Sequence, residues 1–243
     1  MQRLFLCIYL FPLLSLASPS PIPSQTKALL LAIPAEWGST DTELQLYRRK
    51  KNEESWTPFE SPKSVHLGRH GLAWGRGLHA AQEGIQKREG DRKSPSGAFL
   101  LGSILYGYAD RLSFPGWRYH CVTERDLWIE DPSSLNYNRH LILSPKEAFP
   151  ANHLYDQMRQ EDPAHALKLF IRHNAPPDTQ RGAGSAVFFH LTRGSNSTTT
   201  GCTSMKEEDF TSLLNAFSPA DQPVYVLLPR SEYDRLRKDW KLP

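Results

Sequence analysis

"FFHLTRGSNSTTTGCTSMKEEDF" spans Phe188 to Phe210, and how it is read decides what the rest of the chain must build. "GSAVFFH" reads as a buried strand with His190 at its end. A polar loop returns the chain to Gly201-Cys202, twelve residues past the histidine. "SMKEEDFTSLLNAF" then reads as a helix, with Ser204 as cap, Glu207 as capping-box partner, and Leu213, Leu214 and Phe217 as apolar stripe. Cys202 is thus expected just ahead of a helix N-terminus, whose dipole favours the nucleophilic thiolate. His190 is the expected proton acceptor, handing the proton on to a leaving amine. The N–H groups of Gly201 and Cys202, with Thr200 as a third candidate, are placed to form an oxyanion hole. Between Leu191 and Thr200 there is no Asp or Glu, so the carbonyl of Leu191 or Thr192 is the expected orienter of the imidazole.

The compartment is read from the other end. "MQRLFLCIYLFPLLSLAS" has one early cation, an apolar run from Leu4 to Leu16, and the small-x-small triplet Ser15-Leu16-Ala17. It reads as a signal peptide over residues 1–17, the alternative being an uncleaved anchor, for which the run is short. An exported chain with no stable membrane anchor after cleavage is expected, periplasmic or cell-wall associated. Loss of Cys7 leaves Cys121 and Cys202, which an oxidising compartment could pair. The net charge of +3 is too weak to argue for nucleic acid and is compatible with an anionic wall polymer.

Residues 18–26, "SPSPIPSQT", read as a mobile proline-serine linker, and residues 27–243 as a single domain. "KALLLAIPAEW", "TELQLYRRK" and "SWTPFE" read as three strands with an antiparallel start. "KREGDRKSPSGAFLLGSILYGYA" reads as a polar loop feeding a strand, and "ALKLFIRHN" and "PVYVLLP" as further strands. "SEYDRLRKDW" is a terminal helix, and residues 110–165 read as irregular insertions able to shape a cleft. The expected fold class is mainly β with a few helices.

Together these stretches resemble the L,D-transpeptidases, the YkuD-type catalytic domain. That family pattern is a histidine at a strand end, a variable loop, then Ser/Thr-x-Gly-Cys, and His190, Thr199, Gly201 and Cys202 match it. "KREGDRKSPSGAFLLG" is similar to a second family stretch through Lys87, Glu89, Gly90, Asp91, Pro95, Gly97 and Phe99. "HLGRHGLAWGRGL" and "GAGSAVFFH" look like the secreted branch, and the resemblance covers roughly residues 28 to 228. It implies a β-sandwich-like catalytic fold. It implies attack by Cys202 on a peptidoglycan stem peptide, a thioester, departure of D-alanine, and capture by an amine. It implies no metal or organic cofactor, and acylation of Cys202 by carbapenems. A monomer is expected.

The match has departures. Thr200 stands where many members have a second histidine, and Ser204 where they have an arginine, for which Arg193 is a candidate replacement. Cys202, His190 and Gly201 are the catalytic candidates, and Thr199, Thr200, Arg193, Leu191 and His173 the substrate-binding ones. "KREGDRKSPSG" is expected to support the site wall through its backbone. His66, His70 and His79 match no common zinc spacing. Tyr137 and Trp117 are open between stacking on sugar and filling the core. The alternatives are a carboxypeptidase or amidase hydrolysing the same bond, a secreted toxin-like hydrolase, and a catalytically silent wall-binding protein.

Overall fold

A computed structural model describes residues 20–243 apart from 51–54, 152, 161, 195 and 196. The expected signal peptide and Cys7 lie outside the described residues. The strands are β1 (Ala28–Ala32), β2 (Asp41–Arg48), β3 (Thr57–His66), β4 (Leu72–Trp74), β5 (Ser94–Gly107), β6 (Arg118–Cys121), β7 (Asp126–Trp128), β8 (His140–Ile142), β9 (Leu167–Ile171), β10 (Phe188–Leu191), β11 (Thr203–Met205) and β12 (Val224–Leu227). Among the described residues three α-helices accompany them: α1 (His153–Asp156), α2 (Glu207–Ala216) and α3 (Arg230–Leu236). The fold is mainly β with few helices.

The main sheet runs β12-β1-β2-β3-β11-β10-β9-β5, and β5 returns to pair with β12, so the sheet closes on itself. The length of β5 makes this possible. Gly97 to Leu100 pair with β12, while Leu101 to Gly107 pair with β9. Because strand side chains alternate, β1, β5, β9, β10 and β12 each serve two cores. Leu30, Phe99, Leu169, Phe189 and Tyr225 point inward and pack with Phe210, Leu213 and Leu214 of α2. Leu29, Leu31, Val224 and Val226 point outward, under Tyr233, Leu236 and Trp240 at the C-terminus. Tyr106, Phe170 and Phe188 point outward elsewhere, under Val122, Trp128 and Met158. ALLLA of β1 is apolar throughout because both its faces are covered.

Two expectations change. Ser204 does not cap a helix. Residues 203–205 form β11, parallel to β10 with His190 opposite Ser204 and Leu191 opposite Met205. Pairing with β10 takes the residues that would have made the first turn, so α2 begins at Glu207, after Lys206. Glu207, Glu208 and Asp209 in that turn complement the helix dipole instead. The stretch read as a mobile linker is docked from residue 20 on. Ile22 is buried, Ser20 Oγ donates to the Trp240 carbonyl at 2.8 Å, and the Arg49 guanidinium donates to the carbonyls of Pro23 and Thr26 at 2.7 Å each. Ile22 gives this segment an apolar anchor that its proline and serine content concealed. Among the described residues, no helix is long and apolar enough to cross a membrane.

Candidate active site

The outward face of β9 and β10 builds the site. Alternation sends Leu169, Phe189 and Leu191 inward and leaves Lys168, Phe170, Phe188 and His190 facing out, with His190 directly opposite Lys168 across the strand pair. Residues 118–158 cover the apolar part of this face through Trp128, whose ring lies 4.4 Å from Phe170 and 4.8 Å from Phe188. The uncovered part is a cleft of about 730 Å³, lined among others by Cys202, His190, Thr200, Gly201 and Arg193.

Cys202 is held by its backbone. Its carbonyl accepts from Thr199 Oγ1 at 2.7 Å and from Ser94 Oγ at 3.1 Å. Gly201 lies at φ +137°, and a Cβ there would sit 2.9 Å from the Lys93 carbonyl oxygen, so glycine is required at this position. The thiol donates to the Ala186 carbonyl at 3.5 Å and accepts the Phe188 N–H at 3.4 Å. Burial pushes it up to about 11, the Phe188 N–H opposing. Cys202 does not stand directly ahead of the helix as expected, because β11 (Thr203–Met205) and Lys206 lie between it and α2. Both Cys202 and Cys121 are free thiols, not a disulfide.

The imidazole is oriented as expected. His190 Nδ1 lies 2.7 Å from the Leu191 carbonyl, which places the proton on Nδ1 and leaves Nε2 as the basic atom. Burial, and then the nearby His165, bring His190 down to about 4. The resting pair is thus a neutral thiol and a neutral imidazole. The oxyanion donors differ from expectation. The Gly201 N–H donates to Thr199 Oγ1 at 3.0 Å and is spent within the loop. Among the described residues, the N–H groups of Thr200 and Cys202 find no such acceptor.

The substrate-binding candidates divide. Thr200 and Arg193 line the cleft, Arg193 as the ion-pair partner of Asp162. Thr199 is buried as the clamp on Cys202. The Leu191 side chain lies in the inner core, and the residue serves the site through its carbonyl. His173 is fully buried outside the cleft. Its Nδ1 accepts the Arg76 N–H at 3.1 Å and its Nε2 pairs with the Ala183 carbonyl at 2.9 Å. Burial holds it down at about 3. With Asn174, whose Nδ2 donates to the Gly184 carbonyl at 2.9 Å, it fixes the loop that delivers Ser185 and Ala186 to the cleft. Its place is structural because both ring nitrogens are consumed by backbone.

The cleft residues that went unread in the sequence include His165, Lys168, Glu130, and the side chains of Lys87 and Glu89. His165 stacks on His190 at 5.1 Å and 27°, with Nδ1 held by Asp162 Oδ1 at 2.7 Å. Lys168 Nζ donates to the Met158 carbonyl at 2.6 Å, and burial lowers it to about 8. Burial, then Glu89 and Asp156, raises Glu130 to about 8. Glu89 accepts from Ser185 Oγ at 2.7 Å and from the Tyr137 hydroxyl, while Lys87 pairs with Asp91. "KREGD" therefore supports the wall by backbone, as in Glu89 N–H to Gly182 at 2.8 Å, and also supplies charges to it. Tyr137 is buried, and Trp117 donates to the carbonyls of Leu214 and Phe217 at 3.0 Å each, so both are packing residues.

No family model matches the chain, and no curated protein matches it. Among solved structures it is similar to the helical cell shape determining protein Pgp2 of Campylobacter jejuni, at 16% identity and a TM-score of 0.39. That likeness covers 83% of this chain and 47% of the other, so the chain spans about half the length of Pgp2.

Proposed function

We propose that the chain is a cysteine acyltransferase of the L,D-transpeptidase type, acting on peptidoglycan stem peptides. The observation that carries this reading is Cys202 and His190 on one cleft, with His190 Nδ1 tied to the Leu191 carbonyl so that Nε2 is the free base. The motif resemblance supplies the substrate class. A cleft holding the carboxyl groups of Glu89 and Glu130 beside the cations Lys87 and Lys168 suits a substrate that carries both amines and carboxylates.

The thiol leaves the Ala186 carbonyl and gives its proton to His190 Nε2 as Sγ attacks the scissile carbonyl. The amides of Cys202 and Thr200 receive the developing oxyanion. Collapse breaks the C–N bond, His190 protonates the departing D-alanine amine, and a thioester remains on Cys202. An amine of a second stem then attacks the thioester, gives a proton to His190, and releases the cysteine, which takes that proton back. With a neutral resting pair, the thiolate forms only as the new bond is made.

The test is mass spectrometry of the protein incubated with disaccharide-tetrapeptide fragments. A dimer lacking the donor D-alanine, absent with Cys202→Ala, is the expected product. Tripeptide alone assigns water as the acceptor and replaces the transferase reading by a carboxypeptidase. Full turnover by Cys202→Ala overturns both.

A further inference from the structure

We propose that His120, Asp126 and His140 form a binding site for one divalent transition-metal ion, with Zn(II) the ion best suited to the donors. The three residues come from three successive strands: His120 from β6, Asp126 from β7 and His140 from β8. Their ligand atoms lie within 4.8 Å of one another. Both imidazole Nε2 atoms converge on the same carboxylate oxygen, Asp126 Oδ1, at 2.5 Å from His120 and 2.7 Å from His140.

The surroundings fix each donor. Asp126 is buried, and its other oxygen, Oδ2, accepts the Thr123 N–H and the Thr123 hydroxyl at 2.8 Å each. Oδ1 is thereby aimed between the rings, the outer-shell support that metal ligands commonly have. The Tyr106 ring stands edge-on to both imidazoles, at 5.9 Å from His120 and 5.2 Å from His140. Trp128 lies parallel to His140 at 6.2 Å and 10°. The side chains of His120 and His140 are 32% and 18% exposed, which leaves an entry path and room for water as a fourth ligand.

Two imidazoles and one carboxylate suit Zn(II), Co(II) or Ni(II), whereas Mg(II) and Ca(II) prefer oxygen alone. In the metal-free cluster each Nε2–H donates to the carboxylate. To take an ion, each neutral ring moves its proton to Nδ1, and the donors part to roughly 3.3 Å, the edge of a tetrahedron with bonds of about 2 Å. No redox step is involved. The ion would staple the three strands that carry Trp128 and Glu130 to the cleft wall. The proposal does not depend on the acyl-transfer reading.

The probe is Co(II), followed by competition with Zn(II), on full-length protein stripped with a chelator. Cys202→Ala serves as the background, so that the cleft thiol cannot contribute. One Co(II) per chain with the intense visible bands of a tetrahedral site is expected, with a rise in Tm on adding Zn(II). His120→Gln and His140→Gln should lose the bands and the rise in Tm. Thr123→Ala, which keeps all three ligands, should bind about 10–100-fold more weakly. No stoichiometric ion in the Cys202→Ala protein overturns the site, and so does unchanged binding in the two histidine variants. Circular dichroism of each variant separates loss of a ligand from loss of the fold.

Discussion

The closed sheet has two outer faces, and they are covered in opposite ways. Over β1 and β12 lies the C-terminal segment with α3, bringing Tyr233, Leu236 and Trp240 onto Leu29, Leu31, Val224 and Val226. A helix satisfies its own backbone, so this cover can be almost wholly apolar. Over β9 and β10 lies the irregular stretch 118–158, with short strands whose carbonyls and amides need partners. It meets them with polar groups: Lys168 to the Met158 carbonyl, Asp156 to the Glu130 N–H at 2.8 Å, and Arg125 Nε to the Leu143 carbonyl at 3.2 Å. An irregular cover leaves part of its face open, and that gap is where Cys202, His190, Glu89 and Glu130 meet. The same sheet thus carries a sealed core on one side and an open cleft on the other.

The two faces should respond differently to substitution. His190→Ala should lower turnover by about 10²–10⁴-fold while leaving the fold intact, as removal of a general base commonly does. Trp240→Ala and Trp128→Ala should each cost about 3–5 kcal/mol in urea unfolding, the usual loss for a buried tryptophan. Only Trp128→Ala should also change the alkylation rate of Cys202 in the folded protein. An equal change from Trp240→Ala would mean that the two faces are mechanically one.

Acid should sharpen the picture. His173, His190 and His79 are held at about 3, 4 and 4, in each case mainly by burial. The unfolded chain takes up protons near the ordinary 6.5, while the folded chain does not. The unfolded state therefore binds more protons below that pH, and stability falls as pH drops from about 6.5 to 4. Each buried imidazole contributes about 1.4 kcal/mol per pH unit in that window. His165, lowered mainly by burial, adds to this slope, and Glu130, raised to about 8 and so protonated in the folded chain, opposes it down to about pH 4.5. His190→Ala should remove about 1.4 kcal/mol per pH unit from the net slope. A stability that is flat from pH 6.5 to 4 would contradict the buried, neutral assignment of all three.

What could be read in advance follows from the range of the interactions. β1, β2, β5, β9 and β10 were legible because their apolar residues recur locally, and α2 because its stripe does. The His190 orienter was legible because its carbonyl lies one residue away. Lys168 was present in "ALKLFIRHN", but its role depends on the register that sets it opposite His190, and one sequence does not reveal register. Glu130 and His165 come from stretches without periodicity, and His173 looked like a cleft residue only because its backbone partners are distant in sequence. Ser204 obeyed a real local rule, the capping box, which lost to parallel pairing with β10.

The smallest effect concerns the clamp on the cysteine backbone. Thr199 Oγ1 donates to the Cys202 carbonyl and accepts the Gly201 N–H, so one hydroxyl holds two backbone groups of the loop. Thr199→Val keeps the shape and removes both bonds, leaving the buried Gly201 N–H without its acceptor, at a cost of about 1–3 kcal/mol. Thr199→Ser retains the hydroxyl and should recover most of that stability. The Cys202 carbonyl still has Ser94 Oγ in either variant, so the loop should loosen without collapsing. Alkylation of Cys202 by iodoacetamide, followed from pH 7 to 11, reports the consequence. In wild type and Thr199→Ser the rate should keep rising toward the thiol value of about 11. In Thr199→Val it should level off earlier, as a looser loop lets water reach the sulfur and relieves the burial that holds the proton on it. An unchanged profile in Thr199→Val would show that the Phe189–Phe188 strand and the Ala186 carbonyl hold the thiol without the clamp, and that the cleft face is as rigid as the helix-covered one.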